Sequence, residues 1–203
     1  MYAIVENNEI KQIITNPKSV VIGDVRYPAK IFSVWSGSEL NNIGIYEVIT
    51  DSTNFKDQAY YNNTNEEYNF ADNKVTRSWG TATPKRLEDE NAVDENGDPV
   101  LDDDGVQLIN YGLKTDKKRI IKQQASSLLE KTDWHNHKAF DDETYTIPND
   151  IKTYRANVRA KSNEMETQID ACTTVEQLET LYTYTTDDDG VQSRPLAEFP
   201  KEI

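Results

Sequence analysis

The chain has 203 residues, 36 of them acidic and 22 basic, for a net charge of −14. That surplus repels phosphate backbones and anionic bilayers, and no apolar run reaches membrane-spanning length, so neither nucleic acid nor a membrane is an expected partner. A single cysteine, Cys172, allows no internal disulfide and no cysteine-rich zinc site.

The length suffices for one good core or two modest ones, and the turn-rich middle of the chain favours two. Glu6, Glu9 and Lys11 lie where a secretory leader would need an apolar core, which predicts a soluble protein that starts in the cytosol of its producer. Residues 2–6 and 9–14 flank Asn7-Asn8, and asparagine tolerates the positive φ that a two-residue hairpin turn demands. Val20–Gly23 and Val25–Tyr27 read as a further extended segment ended by Pro28. Ser36 and Glu39 stand at capping-box spacing for a short helix to Asn42, and Tyr46–Ile49 reads as a strand. From Asp51 to Tyr61 the chain is polar and predicts a loop. Glu67–Phe70 and Lys74–Trp79 then alternate around Ala71-Asp72-Asn73 as a second hairpin. These elements predict a β-rich N-terminal domain over residues 1–84.

Residues 85–113 predict an acidic hairpin linker. Glu88 to Gly105 holds nine acidic residues and no basic one, whereas Lys114 to Lys161 holds eleven basic against seven acidic. The two stretches attract within a chain or between copies in a homo-oligomer, though exposed pairs contribute only about 0–1 kcal/mol each. Asp102-Asp103-Asp104-Gly105-Val106-Gln107 recurs letter for letter at 187–192. Six residues are too few for a solenoid unit, and both copies read as Asp-Gly hairpin turns whose arms could pair with a neighbour's strand. The fragments around Asp94 and Asp102 lack the glycine placement and the final Glu of a calcium loop.

Residues 114–203 predict a helical domain ending in a β-turn and an extended tail. One amphipathic helix runs from about Thr115 to about Thr132, with Ile120, Ile121, Gln124, Leu128 and Leu129 on its apolar stripe. It ends near Trp134, and after a polar loop Pro148 opens a second helix. Asn149 or Asp150 can cap that helix, and Ile151, Tyr154, Val158, Met165 and Ile169 form its buried side. Thr174 and Gln177 mark a short third helix through Leu178, Leu181 and Tyr182. The whole is an α+β protein in which an αα-hairpin plus a short helix follows a β-rich domain.

The corner of that hairpin supplies the candidate binding residues: Asp133, Trp134, Tyr154, Arg155 and Arg159. Trp134 has two readings, a buried plug between the helices near Tyr154 or a partner anchor, and the plug is preferred because such a residue is worth roughly 3–5 kcal/mol when buried. Arg155 and Arg159, four apart on one face, suit a carboxylate, either Asp133 or that of a partner segment. His135 and His137 in an extended loop, with Asp141, Asp142 and Glu143 nearby, form the one plausible metal constellation, and a solvated loop is the preferred reading of it. Cys172, with no His or Lys close in sequence, reads as a small core residue. No nucleophile elbow or phosphate loop is present, so no catalytic residue and no cofactor is assigned.

Several of these blocks resemble a known family, the small tail assembly chaperones and tail-fibre-associated proteins of tailed bacteriophages. The likeness lies in Leu128-Leu129-Glu130-Lys131-Thr132-Asp133-Trp134, then Pro148, then Tyr154-Arg155-Ala156-Asn157-Val158-Arg159. Pro28–Phe32 leading to Trp35, Ser38-Glu39-Leu40 and Ile43-Gly44-Ile45-Tyr46 extend it to about two thirds of the chain. The chain departs from the family after Trp134, where His135-Asn136-His137 replaces an aromatic or aliphatic residue. The resemblance implies a non-enzymatic tail protein, an assembly chaperone or minor virion component that binds fibre or baseplate proteins in the host cytoplasm or on the virion tail. A metal-dependent enzyme or adhesin built on His135 and His137 is the alternative.

Overall fold

A computed structural model describes residues 1–203. They form two compact units, Met1–Pro84 and Lys85–Ile203. Strands dominate the first and helices the second, an α+β protein.

In the first unit β1 (Tyr2–Glu6) and β2 (Glu9–Ile14) pair antiparallel through Asn7 and Asn8, at φ 52° and 63°. Both values lie in the left-handed region that a primed hairpin turn requires. The register shifts between Ile4 and Val5, which leaves Lys11 bulged. β3 (Val20–Ile22) and β4 (Val25–Tyr27) form a second hairpin where the sequence suggests one extended segment; Gly23, at φ +56°, makes the reversal. After α1 (Ile31–Val34) comes α2 (Gly37–Asn42), and its capping box is complete: Ser36 Oγ accepts from Glu39 N at 3.3 Å, and Glu39 accepts from Ser36 N at 2.7 Å. β5 (Ile45–Thr50) follows Gly44, where φ is +82° and an added Cβ would come 2.7 Å from Val5 O, so the turn into β5 admits glycine alone.

β6 (Tyr61–Asn62) precedes β7 (Glu67–Ala71) and β8 (Lys74–Ser78), which turn on Asp72 and Asn73 at φ 51° and 57°, and β9 (Thr83–Pro84) pairs back with β6. The main sheet has the order β2-β1-β5-β8-β7, parallel only between β5 and β8. Because side chains alternate along each strand, the sheet buries both faces. Ile4, Ile14 and Ile45 meet Val20, Ile31, Phe32 and Leu40 on one face, and Ala3, Val5 and Val75 gather Ile13, Tyr46 and Phe70 on the other. The stretch read as a polar loop ends in two buried rings, Tyr60 and Tyr61.

The second unit includes the acidic segment, which is anchored to the first long helix and is not a separate linker. β10 (Glu90–Asn91) pairs with β11 (Ile109–Asn110), and α3 (Leu113–Glu130) starts on the backbone of the same segment. Leu113 N donates to Arg86 O at 3.0 Å, and Asp89 Oδ1 accepts from Gly112 N at 2.7 Å, a bond that holds the Asp89 carboxyl below its usual range. Lys114, nearly buried, pairs with Glu88.

Helices α4 (Asp133–Asp141), α5 (Asn149–Asp170) and α6 (Val175–Tyr182) complete the unit. The pairs Lys118–Asp170, Lys122–Glu166 and Leu129–Arg155 run in opposite directions along the chain, so α3 and α5 are antiparallel. Their shared core contains Ile121 and Ala125 with Tyr154, Val158, Met165 and Ile169; Ile120 and Gln124, placed on the stripe by spacing, face solvent. Pro148 stands at the N-cap position of α5, and Asp150 Oδ1 accepts the Ile151 N–H at 2.9 Å in the first turn. Thr174 caps α6, accepting from Gln177 N at 3.3 Å. Cys172 is buried beside that cap, and burial raises its thiol pKa, as fits a core residue.

β12 (Thr185–Thr186) and β13 (Gln192–Ser193) flank the second copy of the repeated hexapeptide. Asp102 and Asp187 make the same turn: each backbone N–H reaches the C=O four residues on, and each carboxylate accepts the N–H groups two and four residues on. Asp94 makes it too, although its following letters differ. The turn therefore depends on an Asp three residues before a positive-φ glycine. The tail beyond lies against the helices: Leu196 is buried with its N–H on Leu181 O, Phe199 packs on the Tyr154 cluster, and Lys131 pairs with Glu202. No helix is long and apolar enough to cross a membrane.

Candidate interaction site at the helical corner

The end of α3 leaves backbone carbonyls without helical partners, and the start of α4 leaves free N–H groups. Arg155, projecting from α5 with a side chain only 9% exposed, closes this junction. Its Nη1 donates to Leu129 O at 2.8 Å and to Thr132 Oγ1 at 2.7 Å, and its Nη2 donates to Asp133 Oδ1 at 2.7 Å. A cation thus sits at the C-terminus of α3 while a carboxylate sits in the first turn of α4, each the favourable sign for its helix end. A guanidinium can do this because its planar fork spreads donors over several acceptors.

Of the two arginines the sequence offers to Asp133, only Arg155 takes it. Arg159 is exposed and donates instead to Arg155 O at 3.4 Å. Tyr154 is buried with Ala125, Val158, Leu128, Leu129 and Phe199, which makes it a packing residue.

Trp134 is not the plug that the sequence favours: it is 54% exposed. The reason is helical phase. With Thr132 buried at the N-cap, the inward position of the next turn falls to His135, 8% exposed, and the indole lies over that imidazole at a centroid distance of 3.7 Å. His135 Nδ1 is 2.5 Å from the Tyr145 hydroxyl, and Lys138 covers the same tyrosine ring. The polar loop expected here is therefore largely helix. His137 is exposed, about 200° around α4 from His135, so the two imidazoles do not converge as an extended segment would make them. Asp142 ends the helix, its carboxyl held low by the Thr144 hydroxyl and N–H.

Phe140, 89% exposed, is the second large ring that α4 shows to solvent. Neither it nor the helix that carries it is marked by apolar periodicity. The available signals were Asp133 in the first turn, Lys138 in the last, and the lack of glycine or proline from Lys131 to Ile147. Chemically the corner offers exposed aromatic area on a short helix whose base is fixed by a guanidinium bonded to Leu129 O, Thr132 Oγ1 and Asp133 Oδ1. No protein-family model, curated protein or solved structure matches this chain.

Proposed function

We propose that this chain is a bacteriophage tail protein that works by binding other tail polypeptides, without turnover, during assembly or attachment of the tail fibre or baseplate. The observation that carries this reading is the corner itself. The Thr-Asp-Trp and Tyr-Arg blocks that resemble the tail-protein family are the residues that clamp α4, and α4 turns Trp134 outward. A tryptophan on a fixed support is the type of side chain that anchors protein interfaces, because its large ring loses little freedom on binding.

In this reading Arg155 and Asp133 are the support, Tyr154 the core beneath it, and Trp134 the contact, with Arg159 a free cation for an acidic partner segment. The protein acts in the cytoplasm of the infected cell as an assembly chaperone, or stays on the virion tail as a minor component. Affinity capture from infected cells, with partners identified by mass spectrometry, tests this. Retention of a fibre or baseplate polypeptide by the native chain, lost on Trp134→Ala, supports it. Capture of no viral polypeptide, or equal capture by both forms, overturns it. Presence in purified particles then separates a virion component from a chaperone.

A further inference from the structure

The first unit contains a cleft of its own, bounded by α2, β5 and the turn from β7 to β8. It encloses about 260 Å³ and is lined by Tyr2, Trp35, Asn41, Tyr46, Glu47 and Asn73 among others. A second recess of about 350 Å³ shares Asn41, Tyr46 and Asn73 and continues it over Ser38 and Asn42. The two rings on this face of the sheet are each backed by another, Tyr2 by Phe32 at 4.8 Å and Trp35 by Tyr27 at 5.8 Å, while the Tyr46 ring lies on the opposite face against Phe70. Rings held this way are set before a ligand arrives, which lowers the entropic cost of binding.

The polar groups are two amides, one carboxylate and one ammonium. With its nitrogen 3.1 Å from Gly37 O and 3.0 Å from Ile45 O, the Asn41 amide is fixed against the backbone. Asn73 sits at φ 57° in the tight turn, so its amide is presented at the rim by a rigid backbone. Glu47 and Lys74 carry opposite charges on the same cleft, and selection for an ionic ligand cancels. Amides accept from and donate to neighbouring hydroxyls and a carboxylate accepts from them, while aromatic faces take the apolar C–H side of a ring. A phosphorylated ligand is disfavoured by the net charge of −14.

We infer that this cleft is a saccharide-binding site for a neutral sugar, with one pyranose ring on the floor formed by Tyr2 and Trp35 and a second residue of the glycan in the adjoining recess. The inference rests on the first unit and not on the tail-protein reading. The test is indole- and amide-detected NMR of the full chain titrated with glucose, galactose, N-acetylglucosamine and their disaccharides. The expected result is saturable shifts at the Trp35 indole and the Asn73 amide, with dissociation constants of about 1 mM or tighter for a disaccharide, and no shift at the Trp79 or Trp134 indoles. Asn73→Gly keeps the left-handed turn while deleting the amide, and Glu47→Gln removes only charge. Each should weaken binding about tenfold with an unchanged spectrum elsewhere. Absence of saturable shifts at about 0.1 M of every sugar, undiminished binding by both variants, or binding of sugar phosphates alone overturns the assignment.

Discussion

None of the buried polar or charged residues lies in the first unit, whereas the second buries Lys114, Thr132, His135, Arg155 and Ser162 among its apolar groups. The first unit can do without them because its sheet satisfies backbone groups internally and offers two apolar faces. The second must fix the relation between three separate helix ends, and apolar contact alone permits sliding along a stripe. A buried guanidinium does not, because its acceptors exist at one place only. Packed volume holds the first region and directed bonding the second, and the two should fail differently under substitution.

The largest contrast lies between Ile45 and Arg155. Ile45→Ala should lower stability of the first unit by about 2–5 kcal/mol, and Ile45→Val by about 1 kcal/mol, a graded response to lost volume. Arg155→Met should cost the second unit about 2–3 kcal/mol, and Arg155→Lys nearly as much, since one ammonium cannot reach Leu129 O, Thr132 Oγ1 and Asp133 together as the fork does. Urea unfolding followed by residue-resolved NMR checks both. A lysine that rescues Arg155 fully would show that direction is not what the junction requires.

A smaller effect is expected at the α6 cap. Thr174→Ala should cost about 1 kcal/mol and raise hydrogen exchange at Gln177 first, while leaving exchange at Arg155's junction unchanged. The weakest effect is a pH effect at the Asp94 turn. Asp98 N–H and Asn96 N–H hold that carboxyl below its usual range. A depressed folded-state pKa gives stabilisation that is present above the unfolded value of about 3.9 and is lost as pH falls through the folded one. Amide protection at Asn96 and Asp98 should therefore persist at neutral pH and disappear only on strong acidification; protection that survives full protonation would remove the carboxylate from the account.

How much of this was legible depended on whether a residue's own chemistry or its surroundings decided the outcome. Asn7-Asn8, Asp72-Asn73, Ser36 with Glu39 and Thr174 act within a few residues, and each is found in the role its type dictates. The Arg155–Asp133 pair is legible because a planar guanidinium suits a carboxylate and Asp133 stands at the corner that Arg155 faces. Trp134 was misread because size was taken as a sign of burial, while the phase of α4, set by Thr132, gave the inward place to the smaller His135. The docking of the expected extended tail carries no sequence signal, because Leu196 and Phe199 are isolated apolar residues without period and only the finished groove beside α5 and α6 gives them a place.

In the proposed function Arg155 holds the corner and leaves Trp134 to contact a partner. Measuring unfolding free energy and tail-polypeptide capture on the same Trp134→Ala protein tests it most directly. Stability should change by no more than about 0.5 kcal/mol while capture falls about 30-fold or more. A loss of several kcal/mol, or capture at the native level, would contradict the account.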